Sequence, residues 1–411
     1  MFQVERPIQS GYTSVCMVHP VKLRAWWARC QGLTTAPKKS ARAVLASAGW
    51  ARSVGSVNPY LSLFSRAGIT RDEAEFAAAC MDIQELPAAR GCTYYVGQED
   101  FALATLAGRK TAETPIRAAR KHLGLTDEEF QALCEGVLEA LAIDEMDPVE
   151  LRQRLGSKVR DLGTEGKKRG LSTTLPLALG WLQAQGAVRR VPATGRLDQE
   201  RYRYALWTNS PVPKAPQDPA WVLGELATAY FRWIGPATTA QFQAFAGCGA
   251  TDARAACEAA HVVSIGDDLL LPDEQLEAWQ AFEAPSQPDY RLVASLDSHL
   301  LLRRELRSLL EPQDAERMAA GEFGPVPSGH LLDLHSHAIL DRGRIVGLWE
   351  FDPARQEIVW YSFVQPDDAL RQAIARTQDF VREVGDARSF SLDSPRSRTN
   401  KIELLRRLSA P

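Results

Sequence analysis

The chain has 411 residues, 45% of them hydrophobic and 24% charged, with a formal net charge of −3. That balance belongs to an ordinary soluble globular protein, long enough for two to four compact units. No run approaches the roughly 18 apolar residues of a membrane span, and the start MFQVERPIQS lacks a basic opening and an apolar core, so a secretory signal and a membrane partner are not expected.

Residues 20–32 read as a helix, with Leu23, Trp26, Trp27 and Cys30 at helical spacing and Gly32 as its stop. A second helix is expected from Ser40 to Ala48 and a third from Pro59 to Ala67, each ended by glycine. Thr70-Arg71-Asp72-Glu73 is a capping box that opens a helix to about Cys80. Residues 86–97 read as two short strands around Arg90-Gly91. Helices leading into a small two-stranded wing suggest a first winged helix over 17–108.

The second unit, 109–210, predicts helices at Thr114–Leu123, Thr126–Ala142 and Pro148–Leu155. A basic loop, Lys167-Lys168-Arg169-Gly170, precedes a helix capped by Ser172 or Thr173 and closed by Gly186. Val188–Pro192 and Arg201–Trp207 form a hairpin carrying Arg189, Arg190, Arg196, Arg201 and Arg203. Residues 151–205 hold twelve Lys/Arg against four Asp/Glu, a local net of +8 inside an acidic chain. Such a module suits contact with DNA phosphates, the alternative being a solvated basic face. A proline-rich linker, Ser210–Pro216, leads to a third unit at 218–285 with helices at Trp221–Phe231 and Asp252–Ala260 and a small hairpin, Val262–Ile265 with Leu269–Leu271. Over 286–390 the pattern alternates as strands, at Arg291–Ser295, Leu331–Leu340, Arg344–Phe351 and Glu357–Phe363, before a helix at Asp367–Val384. A small antiparallel sheet or barrel fits. Residues Ser391–Pro411 either pack or fray.

The chemistry is sought in Arg52-Ser53-Val54-Gly55-Ser56-Val57-Asn58-Pro59. Read as extended backbone, Ser56 and Asn58 share one face and Val57 anchors the other, and Pro59 biases Asn58 towards that conformation. A hydroxyl beside an amide can hold one water, yet neither titrates near neutrality, which suits a leaving group that is already activated. A turn or helix entry is the plain alternative for such a segment. His335-x-His337 lies on an expected strand with both rings on one face, pointing to DNA contact rather than a metal. Arg342, in the turn Asp341-Arg342-Gly343, is a further candidate tip for a groove. The odd set of seven cysteines has no C-x-x-C, so reduced buried thiols are expected, with no zinc site and no cofactor.

Taken together, Ala28-Arg29-Cys30-Gln31-Gly32-Leu33, Tyr60–Arg66, Arg90-Gly91 with Glu99-Asp100, Gly235-Pro236-Ala237-Thr238 and Asp341–Trp349 resemble, in this order, the AlkZ/YcaQ family of bacterial DNA glycosylases. The resemblance implies an α+β chain with three tandem winged helices in a C-shaped arrangement and a C-terminal β-barrel around a DNA-binding concavity. It implies a monomeric, cytoplasmic, nucleoid-associated enzyme that hydrolyses the N-glycosidic bond of alkylated purines in double-stranded DNA, several relatives serving as self-resistance enzymes of antibiotic producers. The family's catalytic Gln-x-Gln or Gln-x-Asp, just upstream of the segment matched by Tyr60–Arg66, is absent. Ser56-Val57-Asn58 is the best replacement, and Arg52-Ser53-Val54 the alternative register. Tyr94 stands where the family often has His, and with Tyr95 it alternates so that one faces the pocket. The expected site is therefore Ser56 and Asn58, lined by Val57, Tyr94 and Arg52, with Lys167, Lys168, Arg169, Arg189, Arg190, Arg196, His335, His337 and Arg342 on DNA. An N7-alkylated purine is cationic and leaves without a strong acid, and short side chains leave room for a bulky guanine adduct. A winged-helix regulator or a lesion-binding protein without chemistry are the other classes this pattern allows.

Overall fold

The structure is a computed structural model that describes residues 18–34, 38–215, 217–389 and 393–409. Residue 17, Cys16, Pro216 of the linker, and Ser391 and Pro411 of the tail lie outside the described residues.

The first unit opens with α1 (Pro20–Cys30) and α2 (Ala41–Ala48), the latter capped by Ser40, whose Oγ accepts from the Ala43 N–H. β1 (Ala51–Arg52), α3 (Asn58–Ala67), α4 (Arg71–Ala79), β2 (Ile83–Pro87) and β3 (Thr93–Gly97) follow. Thr70 and Glu73 form the expected capping box at α4. β3 pairs antiparallel with both other strands, in the order β1-β3-β2.

α5 (Phe101–Leu123) is one helix with Pro115 inside, so it runs through the boundary expected at 108/109. Gly108 is what lets it lie so close to β2, since a Cβ there would sit 2.6 Å from the Pro87 carbonyl oxygen. α6 (Asp127–Leu141), α7 (Pro148–Leu155), α8 (Gly163–Lys168), α9 (Leu175–Ala184) and the hairpin β4 (Val188–Pro192) and β5 (Tyr202–Leu206) complete the second unit. It has a core of its own, built on Leu133, Val137, Leu151, Leu179 and Leu182.

The third unit holds α10 (Pro219–Ile234), α11 (Thr239–Ala246), α12 (Ala250–Ala259), the short hairpin β6 (Val262–Ser264) and β7 (Leu270–Pro272), and α13 (Leu276–Ala281). It shares a core with the first unit, where Trp50, Leu86 and Tyr94 meet Tyr230, Phe231 and Trp233. α1 docks here too: the Trp26 and Trp27 indoles donate to the carbonyls of Gly235 and Pro236 at 3.0 and 2.9 Å. Those indoles are core, as their helical spacing suggested.

The last unit runs β8 (Tyr290–Val293), α14 (Ser298–Leu301), β9 (Met318–Gly321), β10 (Gly324–Pro327), β11 (His337–Asp341), β12 (Arg344–Asp352), β13 (Glu357–Ser362), α15 (Asp368–Val384) and α16 (Pro395–Ser409). The main sheet has the order β13-β12-β11-β8, and β9 and β10 pair only with each other among the described residues. This corrects the barrel expectation: the sheet is open. Ile339, Val346 and Trp349 pack with α2, α3 and α15 on one face, while Ala338, Ile345 and Leu348 pack with α1 and α16 on the other. A sheet covered by helices on both faces buries its apolar residues without closing on itself. The tail after 393 therefore packs as a helix, held by Ile402 and Leu405.

Candidate active site around the Arg52–Asn58 segment

The segment leaves β1 clamped to β3. The Ser53 N–H donates to the Thr93 carbonyl at 3.0 Å, and the Thr93 hydroxyl returns a bond to the Ser53 carbonyl at 2.6 Å. Gly55 then turns the chain with φ +60°, a conformation glycine takes at little cost. From there the backbone is helical rather than extended. Val57 has φ −65° and ψ −10°, and Asn58 is the first residue of α3. Proline is well tolerated in the first turn of a helix, because its missing N–H has no intrahelical partner there, so Pro59 marks a helix entry.

This corrects the expected geometry of Ser56 and Asn58. Asn58 is 0% exposed and Ser56 3%. The Asn58 Nδ2 donates to the Arg52 carbonyl at 2.7 Å, and its Oδ1 accepts from the Ser62 hydroxyl at 3.2 Å. The Ser56 Oγ accepts from the Asn58 N–H at 3.4 Å. The two side chains thus shape the segment instead of sharing a cavity. Val57 is buried in the core, as expected.

Ser62 links this turn to a buried ion pair. Its hydroxyl lies 3.3 Å from the Asp297 carboxylate, and Arg66 grips that carboxylate at 2.7 and 2.8 Å. Burial alone would raise the Asp297 carboxyl, but the Arg66 guanidinium and the His299 N–H hold it below its ordinary value. Gln31 and Ser298 complete the set, so α1, α3 and α14 are tied together beneath the segment.

On the other side of the segment lies a group that the sequence reading missed. β2 places Glu85 directly opposite Tyr95 on β3. Glu85 is 1% exposed. Its Oε1 accepts from the Ser53 hydroxyl at 2.7 Å and from the Tyr202 hydroxyl, on β5, at 3.0 Å. The Arg190 Nη1, from β4, stands 3.9 Å away, with its guanidinium 4.9 Å above the Tyr202 ring. Glu85 Oε2 and the Tyr95 hydroxyl are buried without a hydrogen-bond partner among the described residues. Burial pushes the Glu85 carboxyl up, with Arg190, Ser53 and Tyr202 working against it. A lone carboxylate inside the buried strand Ile83–Pro87 was the available signal, and two of its partners, Arg190 and Tyr202, lie more than 100 residues away on the hairpin of the second unit.

The remaining expected residues divide. Tyr94 belongs to the core, edge-on to Trp50, and burial raises its hydroxyl to about 12; Tyr95 is the tyrosine that faces the polar cluster. Arg52 is half-buried, donates to the Thr93 carbonyl and stands 5.4 Å over the Tyr94 ring. Lys167, Lys168 and Arg169 are exposed at the end of α8, Lys168 pairing with Glu165 at 2.6 Å. Arg189 is half-buried, while Arg190 turns inward to Glu85. Arg196 pairs with Asp198 and donates to the Val384 carbonyl, which anchors the hairpin loop to α15 rather than freeing it for phosphate. Seven of the twelve cations in 151–205 are paired with carboxylates, leaving Arg154, Lys167, Arg169, Arg189 and Arg201 with no ion pair among the described residues.

His335 and His337 do not form a shared contact face. His335 precedes β11, and His337 is buried in it against Trp349, its Nδ1 accepting from the Ser295 N–H at 3.0 Å. Burial lowers the His337 ring to about 3, so it stays neutral. Arg342 is held by Asp341 and by the Pro285 and Ser286 carbonyls, so the turn is pinned rather than presented. The six described cysteines are free thiols, and Cys80 is exposed, unlike the buried thiols expected. The surface cleft of the second unit, between Asp144, Glu145, Glu150 and Arg154, is acid-lined and unsuited to phosphate.

Comparison with known proteins gives one family and one fold. The family model described as DNA glycosylase AlkZ-like matches residues 55–381. Among curated proteins there is no match. Among solved structures, the chain is similar to the Streptomyces sahachiroi DNA glycosylase AlkZ, with 19% identity, a TM-score of 0.68, and coverage of 90% of this chain and 98% of that one.

Proposed function

This chain belongs to the AlkZ-like DNA glycosylase family, and on that premise we propose that it releases bulky N7-alkylated guanines from double-stranded DNA by hydrolysis of the N-glycosidic bond. It acts as a monomer and as a monofunctional enzyme, on adducts of the size that DNA-alkylating natural products leave and that a producing cell must remove. Its three helix-and-hairpin units are read as tandem winged helices, with the exposed cations Lys167, Arg169 and Arg201 on phosphate.

One observation carries the reading. The segment Ser53–Ser56 presents only short side chains where the first unit meets the Arg-bearing hairpin of the second, at the buried Glu85. A cationic purine needs no strong general acid to depart, so the protein has only to stabilise the sugar cation and guide a water. The test is incubation with duplexes carrying either a bulky N7-guanine adduct or 7-methylguanine, followed by alkaline cleavage at abasic sites. Scission at the bulky adduct, much slower at the methyl lesion, is expected; the reverse order would refute the substrate class.

A second reading has its own observation. The Asn58 amide is held by the Arg52 carbonyl and Ser62, and the Ser56 Oγ accepts from the Asn58 N–H, which fits a chain that shields a lesion without chemistry. Tight binding to adduct DNA with no scission establishes that reading instead.

A further inference from the structure

We propose that Glu85 is the carboxylate that activates the attacking water, its Oε2 facing the reacting sugar beside the Tyr95 hydroxyl. The proposal rests on the glycosylase reading above and names the group that performs its chemistry.

A buried carboxylate with one oxygen unpaired costs about 1–3 kcal/mol, more when it is charged. Asp297 has both oxygens satisfied: Arg66 takes each of them, and the His299 N–H adds a bond at 2.9 Å. Glu350 keeps an unpaired Oε2 among the described residues, but its other oxygen meets Ser389 and Lys401 inside the last unit. Glu85 differs. Ser53 and Tyr202 both donate to Oε1, which fixes the plane of the carboxyl and aims Oε2 elsewhere. Tyr95, the cross-strand neighbour, has its hydroxyl buried and likewise unpartnered among the described residues. Two unpaired polar atoms from one cross-strand pair, at the very segment where Ser53 begins the turn, form a donor–acceptor set for a water or a sugar hydroxyl.

Access is short. Arg190 and Tyr202, which meet Glu85 from the second unit, are both half-buried, so each is in contact with the carboxyl at one end and partly open to solvent. A phosphate that draws Arg190 outward uncovers it.

The step balances. The water oxygen bonds to C1′ as the C1′–N9 bond breaks, and the bonding pair leaves on N9, neutralising the cationic purine. The water's proton passes to Oε2 of the ionised Glu85, which becomes a neutral acid and then returns the proton to solvent. The carboxyl's elevated affinity for protons strengthens it as a base but requires that it be ionised first. Activity therefore rises with pH as Glu85 loses its proton. Burial sets this titration first, with Arg190, Ser53, Tyr202 and Glu200 around the carboxyl; Tyr95 lies beside it, and Tyr60 and Asp198 act on Tyr95.

Glu85→Gln keeps an acceptor for Ser53 and Tyr202 and removes the base. In single-turnover release of a bulky N7-guanine adduct it is expected to slow the reaction about 100-fold or more, the scale of a lost general base. Its affinity for adduct DNA and its melting temperature should stay near those of the wild type. The rising limb of the wild-type pH profile should vanish in Glu85→Gln and persist, at reduced rate, in Glu85→Asp. A Glu85→Gln chain that cleaves at the wild-type rate overturns the proposal and leaves the glycosylase reading intact. So does a slower variant that keeps the wild-type pH profile while losing DNA affinity and heat stability together, since that marks a structural role. A wild-type chain that binds adduct DNA and never cleaves it removes the glycosylase reading and this proposal with it.

Discussion

Replacing Asn58 by alanine separates a scaffolding amide from a water-holding one. In the structure its Nδ2 is the partner of the Arg52 carbonyl at 2.7 Å, six residues back, and its Oδ1 accepts from Ser62 at 3.2 Å. The Ser62 hydroxyl retains Asp297 as an alternative acceptor, so most of the loss falls on the Arg52 carbonyl. An unsatisfied buried carbonyl costs about 1–3 kcal/mol, and the small void adds to it, so the segment should lose about 2–3 kcal/mol of local stability. Native-state hydrogen exchange reads this directly. The Ser53 amide, bonded to Thr93, and the Asn58 amide, bonded to Ser56, report on the segment. Their exchange should speed up about 30- to 160-fold if opening is local, as the same free energy converts. Glycosylase activity should fall with it through a loosened segment. Unchanged exchange at both amides, together with lost scission and intact DNA binding, would refute the scaffolding role and return Asn58 to the reacting water.

Removing one side of the ion pair under the segment, as Arg66→Met, should cost about 3–5 kcal/mol by leaving the Asp297 charge buried alone, while Arg66→Met with Asp297→Leu recovers most of it; urea denaturation followed by tryptophan fluorescence measures both. Acid should destabilise the chain in two windows. His337 is held neutral in the fold with its pKa lowered to about 3, so below its ordinary value near 6.5 the unfolded chain binds the extra proton and stability falls as pH drops towards 3. Asp297, lowered in the fold, contributes stability above its unfolded value that is lost as pH falls further through its folded value. A melting series from pH 8 to pH 3 should show the upper part of the loss shrink in His337→Gln without vanishing, because the buried His299 ring, lowered to about 4, loses stability over the same window. Lys167→Ala and Arg169→Ala, at exposed cations with no ion pair among the described residues, should each weaken binding to any duplex and reduce the salt slope by roughly one unit. Lys168→Ala, at a residue already paired with Glu165, should change the slope less, as filter binding at several salt concentrations would show.

Signals that live within a few residues were legible in the sequence. The capping box at Thr70, the glycine after α3, and the hairpin at 188–192 and 202–206 stand where local pattern put them, because caps, turns and alternation act between near neighbours. The family resemblance drew on the same order of local motifs and holds over most of the chain. Contacts between distant residues were not legible. Asn58 read as extended because Pro59 restricts its predecessor, yet the Arg52 carbonyl and Ser62 draw it into a helix start. His337 and Arg342 read as surface groups until Ser295, Pro285 and Ser286 enclosed them. The barrel became an open sheet because α1 and α16, from opposite ends of the chain, cover one face together.

By itself, then, the order of residues determined most of the longer helices and the hairpins of the second and third units, where the positive charge is concentrated, and which family the chain resembles. Only the folded arrangement decided which carboxylate matters. Glu85 meets Ser53, Tyr202 and Arg190 across separations of 32 to 117 residues, and burial, not sequence neighbours, makes its unpaired oxygen costly enough to suggest a use. Desolvation is a property of everything packed around a group, and no local window of sequence contains it.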